Sequence, residues 1–352
     1  MKRDTDEERS PRVMEQEEQT ENDVVLRRMK LQAQRADTYA EWDTEETILA
    51  VKTALEEEHD VTLIEADEEC FQKFLQVQPE ITFNIAEGMR GVSREAQVPA
   101  ILEMLGIPYT GSDPVTLGIC LDKSRAKEIL SYYNIPTPKF SVVSSLKELP
   151  EVKLPFPLIV KPLHEGSSKG IFNNSVVHSR RDLRQQVERI LFEYEEPALI
   201  EQFLPGREFT VALLGNEPNL TVLPIVEIRF DSLPAGVTPI YSYEAKWIWD
   251  QVDRPIDVHE CPAKIPQSLT DEIAALSRKA FNVLRCRDWC RIDVRLDGGG
   301  TPYILELNPL PGILPNPEEH SCFPQAARAA GISYNSMIRR VLEAAATRYG
   351  II

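Results

Sequence analysis

The chain has 352 residues, 42% of them hydrophobic and 27% charged, the composition of a soluble globular protein with room for two to three domains. Its 56 acidic and 39 basic residues leave a net charge of −17, which argues against nucleic acid or an anionic membrane as the main partner. No run of about 18 apolar residues is present, so no transmembrane helix is expected, and the charged start Met1-Lys-Arg-Asp is unlike a secretory signal.

The acidity is concentrated early: residues 1–70 hold 22 Asp/Glu and 9 Lys/Arg. Residues 1 to about 22 have almost no apolar side chains and read as a disordered tail, because they cannot bury enough surface to offset their ordering entropy. Val24-Val-Leu26 is a candidate first strand. From Glu45 the pattern turns helical, with Ile48, Leu49, Val51 and Leu55 on one side. A short strand Val61–Ile64, a helix around Phe71–Val77 and a strand Ile81–Ala86 follow. That alternation implies a parallel sheet.

Pro108–Pro114 is a turn cluster and a candidate domain boundary. A helix is expected from Leu121 to about Tyr133, then strands at Phe140–Val143 and Leu158–Lys161, a helix over 180–194 and a strand at Ala198–Gln202. Strands dominate from Phe209: 209–214, 220–230, and the pair Arg291–Leu296 and Tyr303–Leu307 joined by a hairpin turn at Asp297-Gly-Gly-Gly300. Helices are expected at about 270–284 and 333–347. Six cysteines without a C-x-x-C spacing read as reduced thiols of a cytoplasmic protein.

Three stretches carry chemistry. In Lys161-Pro-Leu-His-Glu165-Gly-Ser-Ser-Lys-Gly170 a strand ends in a lysine. The loop after it has glycines for close approach, with backbone N–H groups and hydroxyls that can cradle phosphate oxygens. In Arg291-Ile-Asp293 and Glu306-Leu-Asn308, residues two apart share a strand face. Pairing of these strands would bring together two carboxylates, an amide and a guanidinium, an oxygen set suited to Mg²⁺ and not zinc. Glu201-Gln-Phe-Leu-Pro-Gly-Arg-Glu208 runs from a strand into a Pro-Gly turn, as a hinge between lobes would.

In this order, with Asn84–Gly88, Gly106–Ser112, Leu121-Asp-Lys123, Tyr243-Glu-Ala-Lys246 and Glu306–Gly312, these stretches resemble the D-alanine–D-alanine ligase family of the ATP-grasp superfamily over residues 80–345. The resemblance implies a mixed α/β and α+β chain: an acidic tail (1–37), a small parallel-sheet N-terminal domain (38–119), and two α+β lobes (120–206 and 207–352) sandwiching ATP. It implies adenine held by Glu201, Phe203 and Leu204, with ribose on Glu208. The phosphates would meet Lys123, Lys161, Lys246 and the loop Glu165, Gly166, Ser167 and Ser168. Two Mg²⁺ ions, for which Mn²⁺ can substitute, would sit on Asp293, Glu306 and Asn308.

Arg291 and the Gly312 N–H would stabilise an oxyanion, with Ser167 and Lys246 also in the catalytic set. The implied reaction is ATP-dependent ligation of a carboxylate to an amine through an acyl phosphate, giving D-Ala–D-Ala or a related dipeptide. The implied partners are small-molecule substrates and a second copy of the chain, a homodimer. The alternative is an ATP-binding protein of this fold without ligase activity.

Departures from the family pattern fall on the amino-acid pockets. Glu87 stands where such ligases commonly carry His, and Trp247 where Tyr is usual. Glu41 is a loose match to the glutamate for the first substrate's ammonium. Ser321 matches the serine for the second substrate's carboxylate, behind a longer spacing after Gly312.

Overall fold

The computed structural model describes residues 44–233, 236–249, 258–319 and 321–352. The tail, the candidate strand at 24–26, Glu41 and the side chain of Trp247 therefore lie outside the described residues. Helix α1 (Glu45–Glu56) is capped by Thr44, whose hydroxyl accepts from the Thr47 N–H at 3.2 Å, and Glu45 and Glu46 in its first turn complement the helix dipole.

Among the described residues, the parallel sheet expected near the front is reduced to one isolated bridge, Thr82 beside Tyr109. It is held by Thr82 N–H to Pro108 O (2.8 Å) and Thr110 N–H to Thr82 O (2.9 Å). Residues 61–66 and 83–88 form no ladder among the described residues. Their apolar pattern reports burial and not pairing: Val61, Ile81, Phe83 and Ile85 pack on one core cluster, and Ile64, Ala66 and Ala86 on another. That second cluster lies between α2 (Cys70–Val77) and α3 (Gln97–Leu105).

The helix expected from Leu121 to about Tyr133 is α5 (Lys123–Tyr132), and a helix not expected from the sequence, α4 (Pro114–Leu121), precedes it. Asp122 breaks them apart with an extended backbone (ψ 92°) and caps α5, its carboxylate accepting from the N–H groups of Ser124 and Arg125.

Strands β1 (Phe140–Val143), β2 (Leu158–Pro162), β3 (Val176–Val177) and β4 (Ala198–Gln202) form an antiparallel sheet in the order β1-β4-β2-β3. Helix α6 (Arg180–Arg189), prolonged by a π-helical turn over Ile190–Tyr194, covers it with Leu183, Val187 and Ile190.

The second sheet is also antiparallel. Its strands are β5 (Glu208–Leu214), β6 (Thr221–Val222), β7 (Val226–Ile228), β8 (His259–Glu260), β9 (Trp289–Leu296) and β10 (Pro302–Asn308). They run in the order β10-β9-β5-β7-β8, with β6 beside β5. The continuous strand expected over 220–230 is interrupted between β6 and β7 at Pro224, which has no N–H for a ladder.

Period-two alternation divides this sheet's faces. Phe209, Val211 and Leu213 of β5 with Cys290, Ile292 and Val294 of β9 pack on α4, α5 and α7 (Gln267–Val283). On the other face Ala212, Leu214 and Trp289 meet α1, α8 (Cys322–Ala329) and α9 (Tyr334–Tyr349). Glu208, Thr210, Arg291, Asp293 and Arg295 share that second face by alternation, and these polar side chains mark where the apolar core gives way to the site.

Among the described residues no helix is long and apolar enough to cross a membrane. No disulfide links the six cysteines, four of which are buried.

Trp289 joins the front of the chain to the second sheet. It is 1% exposed and packs edge-on against Phe83 (5.6 Å between centroids) and Phe323 (5.8 Å). Trp289→Ala should therefore cost about 3–5 kcal/mol, read as a lower urea midpoint in equilibrium unfolding. A loss under about 1 kcal/mol would contradict this packing role.

Candidate active site

The site grows from the β9–β10 hairpin. Its turn is locked by the Asp297 carboxylate, which accepts from the N–H groups of Gly299 (2.8 Å) and Thr301 (2.9 Å). The register sets Asp293 opposite Glu306 and Arg291 opposite Asn308. It shifts by one residue between Ile304 and Glu306, leaving Leu305 as an extra residue in β10. This bulge lets Ile304 and Leu307, three apart, both enter the core, while Glu306 turns to the face of Asp293. The expected meeting of Arg291, Asp293, Glu306 and Asn308 is present.

Asp293 accepts from Thr210 Oγ1 (2.6 Å), Arg291 Nη2 (3.1 Å) and Asn308 Nδ2 (3.3 Å). Burial raises its pKa, Arg291 opposes that shift, and the Glu306 charge adds to it. Glu306 moves the other way, to about 2. Burial works against its charge, but Lys123, Lys161 and Arg291 outweigh it. Two carboxylates facing each other with an amide alongside make an oxygen-only set whose repulsion a hard dication would relieve. Among the described residues no cluster of three or more His, Cys, Asp or Glu is arranged to hold a metal. The third oxygen here would be that of Asn308.

Beside the hairpin lies a chain of buried charges. Lys161 is the penultimate residue of β2, and Glu201 stands on the neighbouring strand β4. Lys161 Nζ is 2.7 Å from Glu201 Oε2, and Lys127 Nζ is 2.6 Å from Glu201 Oε1. Lys127 and Glu201 are each 1% exposed. Burial works against all three charges. Lys127 and Lys161 nevertheless hold the Glu201 carboxyl below its ordinary value, and Glu201 with Glu306 lifts Lys161 above its own. Lys123 lies 3.8 Å from Glu306 and donates to the Glu165 carbonyl.

The loop after β2 runs through positive φ at Ser167, Ser168 and Gly170. A Cβ on Gly170 would lie 2.4 Å from Pro162 Cγ, so only glycine fits. Ser168 Oγ donates to the Tyr241 carbonyl (2.8 Å), which ties the loop to the segment that carries Lys246. The Glu165 carboxylate is paired with Lys169 (2.6 Å) and lies 3.7 Å from Arg94. Arg94 also donates to the His164 carbonyl (2.9 Å). Lys246 is pulled down to about 8, chiefly by burial and by Arg291. Glu87 is close enough for its charge to act on Lys246.

In the turn after β4, Leu204 is buried and the Arg295 guanidinium lies over Phe203, 4.9 Å from the ring centroid. Glu208 is ion-paired to Arg295 at 2.6 Å. Gly312 has open space where a Cβ would stand, and its carbonyl accepts from Ser321 Oγ at 2.9 Å.

Sequence reasoning missed Lys127, Thr210, Arg94 and His164. Lys127 alone had a signal, since it stands four residues after Lys123 and so on the same helix face. His164 sits between Asp122 (3.7 Å) and Glu196 (3.4 Å), joining the cap of α5 to the loop.

Residues 130–343 match the family model described as the D-ala D-ala ligase C-terminus. An uncharacterized protein, y4sG, of Sinorhizobium fredii is 38% identical over 85% of this chain and 87% of its own length. A D-alanine–D-alanine ligase of Pelotomaculum thermopropionicum is 35% identical over 73% of this chain and 78% of its own. Among solved structures, the D-alanine–D-alanine ligase of Bacillus anthracis complexed with ATP superposes with a TM-score of 0.68 at 24% identity, covering 90% of this chain and 95% of that one. The VanG D-Ala:D-Ser ligase of Enterococcus faecalis gives 0.60 at 24% identity, over 76% of this chain and 73% of its own.

Burial disfavours the charged form of His164, but the carboxylates of Asp122 and Glu196 outweigh it and raise its pKa from 6.5 to about 9. A raised folded pKa means stability that is complete below the unfolded value and lost as pH rises through the folded one. Unfolding free energy should therefore fall by about 1–3 kcal/mol more in the wild type than in His164→Asn as pH rises from 6.5 to 9. Parallel pH profiles for the two proteins would refute the clamp.

Proposed function

The chain belongs to the D-alanine–D-alanine ligase family, ATP-dependent ligases of the ATP-grasp fold, and we propose that it joins one amino acid's carboxylate to another's amine through an acyl phosphate. The observation that carries this reading is the convergence of Asp293, Glu306, Asn308 and Arg291 on one hairpin face, beside the buried Lys127–Glu201–Lys161 chain. A carboxylate is a poor electrophile, and phosphorylation splits one hard step into two. The chemistry then needs mainly neutralised charge and fixed positions, which this cluster provides.

In this reading Glu201, Phe203 and Leu204 hold adenine and Glu208 the ribose. Lys123, Lys161, Lys246 and the Glu165–Ser168 loop hold the phosphates. Asp293, Glu306 and Asn308 would hold Mg²⁺, which when bound neutralises phosphate charge. The first substrate's carboxylate oxygen attacks the γ-phosphorus and ADP departs with the broken bond's electrons. The second substrate's neutral amine then attacks the acyl carbon. Arg291 and the Gly312 N–H stabilise the oxyanion until inorganic phosphate leaves with the electrons of the acyl–oxygen bond, takes up the extra proton from nitrogen, and the amide remains.

Glu41, Glu87, Trp247 and Ser321 are the proposed substrate contacts. Glu87 and Trp247, which depart from the family pattern, would set the amino-acid pair. The three-part division at 119 and 206, a homodimer and a cytoplasmic location belong to the same proposal and rest on the family resemblance.

The test is Mg²⁺- and ATP-dependent phosphate release over single and paired D- and L-amino acids. Release that needs two D-alanines identifies a D-Ala–D-Ala ligase, and release with another pair assigns the change to Glu87 and Trp247. Asp293→Ala and Glu306→Ala should each reduce turnover by about 100-fold or more. Turnover unaffected by both substitutions would disprove the assignment of the hairpin acids.

A further inference from the structure

Lys127 has no part in the reaction described above, yet it is an enclosed charge held by three polar partners. An ammonium has three N–H donors. Lys127 Nζ donates to Thr137 Oγ1 at 3.0 Å and to the Leu305 carbonyl at 2.9 Å, and its charge pairs with Glu201 Oε1 at 2.6 Å. A buried ion pair is a weak device for stability alone, since an apolar side chain of similar volume often serves as well. What distinguishes these partners is where they lie. Glu201 belongs to the four-stranded sheet, and its second oxygen holds Lys161 at 2.7 Å. Leu305 is the extra residue of the bulge that turns Glu306 toward Asp293 in the other sheet. Thr137 reinforces the same point by donating to the Ile304 carbonyl at 2.9 Å.

We propose that Lys127 is a positioning residue that holds the nucleotide-side pair Glu201–Lys161 and the cation-side carboxylate Glu306 in one frame, by clamping Glu201 and the bulge carbonyl of Leu305 together. Rejecting a one-residue slip is the physical task. If the bulge relaxed into regular pairing, Glu306 would face away from Asp293. On the nucleotide side, Glu201 without Lys127 would keep Lys161 as its ion-pair partner and draw that ammonium toward itself. Lys127 touches neither nucleotide nor cation in this role. The proposal rests on the ligase reading for what the two clamped groups bind.

Calorimetric titration with ADP, with and without Mg²⁺, separates the two arms without turnover. In Lys127→Met the metal-free ADP dissociation constant should rise by roughly 10- to 100-fold, and so should the Mg²⁺ concentration for half-maximal tightening. Thr137→Val keeps the Lys127–Glu201 pair and loosens only the bulge, so it should raise the Mg²⁺ requirement and leave metal-free ADP binding alone. A folded Lys127→Met with both quantities within about twofold of wild type overturns the proposal, whatever its melting temperature. Should Lys127→Met fail to fold, Thr137→Val decides, and an unchanged Mg²⁺ requirement overturns it. Wild type that binds no ADP would overturn the ligase reading and this proposal together, whereas wild-type binding with an indifferent Lys127→Met overturns this proposal alone.

Discussion

The register of one hairpin determines what the rest of the molecule can do. Asp293 and Glu306 face each other because β10 carries one residue more than β9 between Ile304 and Glu306. Strand side chains alternate, so a single slip would send Glu306 to the apolar face and bring Leu307 into the site. The pairing is fixed from three directions: the Asp297 turn at its tip, β5 along the far edge of β9, and the loop at Pro136–Thr137 with Lys127 on the bulge. The core beneath, with Ile292, Val294, Ile304 and Leu307, has a side-chain pattern that fits only this register.

Onto that frame the fold places a concentration of charge that would be costly without compensation. Lys123, Lys127, Lys161 and Arg291 gather around Glu201, Asp293 and Glu306. The cations outnumber the anions by one, which leaves a positive balance for an anionic ligand. The directions of the pKa shifts show how the balance is shared. Glu306 is held down by its lysines and arginine, while Asp293, which lacks a lysine among its bonded partners, is pushed up by burial. Strain of this kind is characteristic of sites kept for binding and not for stability.

Much of this was readable from residue order, and the reasons are specific. Alternation in Arg291–Leu296 and Tyr303–Leu307, with Asp-Gly-Gly-Gly between them, announces a hairpin, and polar residues two apart must share a face. The bulge was hidden, because the inserted Leu305 is apolar like Ile304 and Leu307 nearby and so leaves no mark in the pattern. Lys127 was marked only by its spacing from Lys123, and it is buried because α5 lies against the second sheet. The helix over Pro114–Leu121 was not expected, and Asp122 separates it from the expected α5 by capping the latter. Near the front the apolar runs at 61–64 and 81–86 report contact with neighbouring cores and do not report a ladder.

The central claim is that this charge cluster activates a carboxylate by phosphorylation. Its most direct measurement follows oxygen. The amino acid that supplies the carboxylate, identified by phosphate release, is labelled with ¹⁸O in both carboxylate oxygens, and the phosphate formed during ligation is weighed by mass spectrometry. Passage through an acyl phosphate transfers one labelled oxygen to each phosphate released. Phosphate that carries no label, formed alongside amide product, would contradict the account.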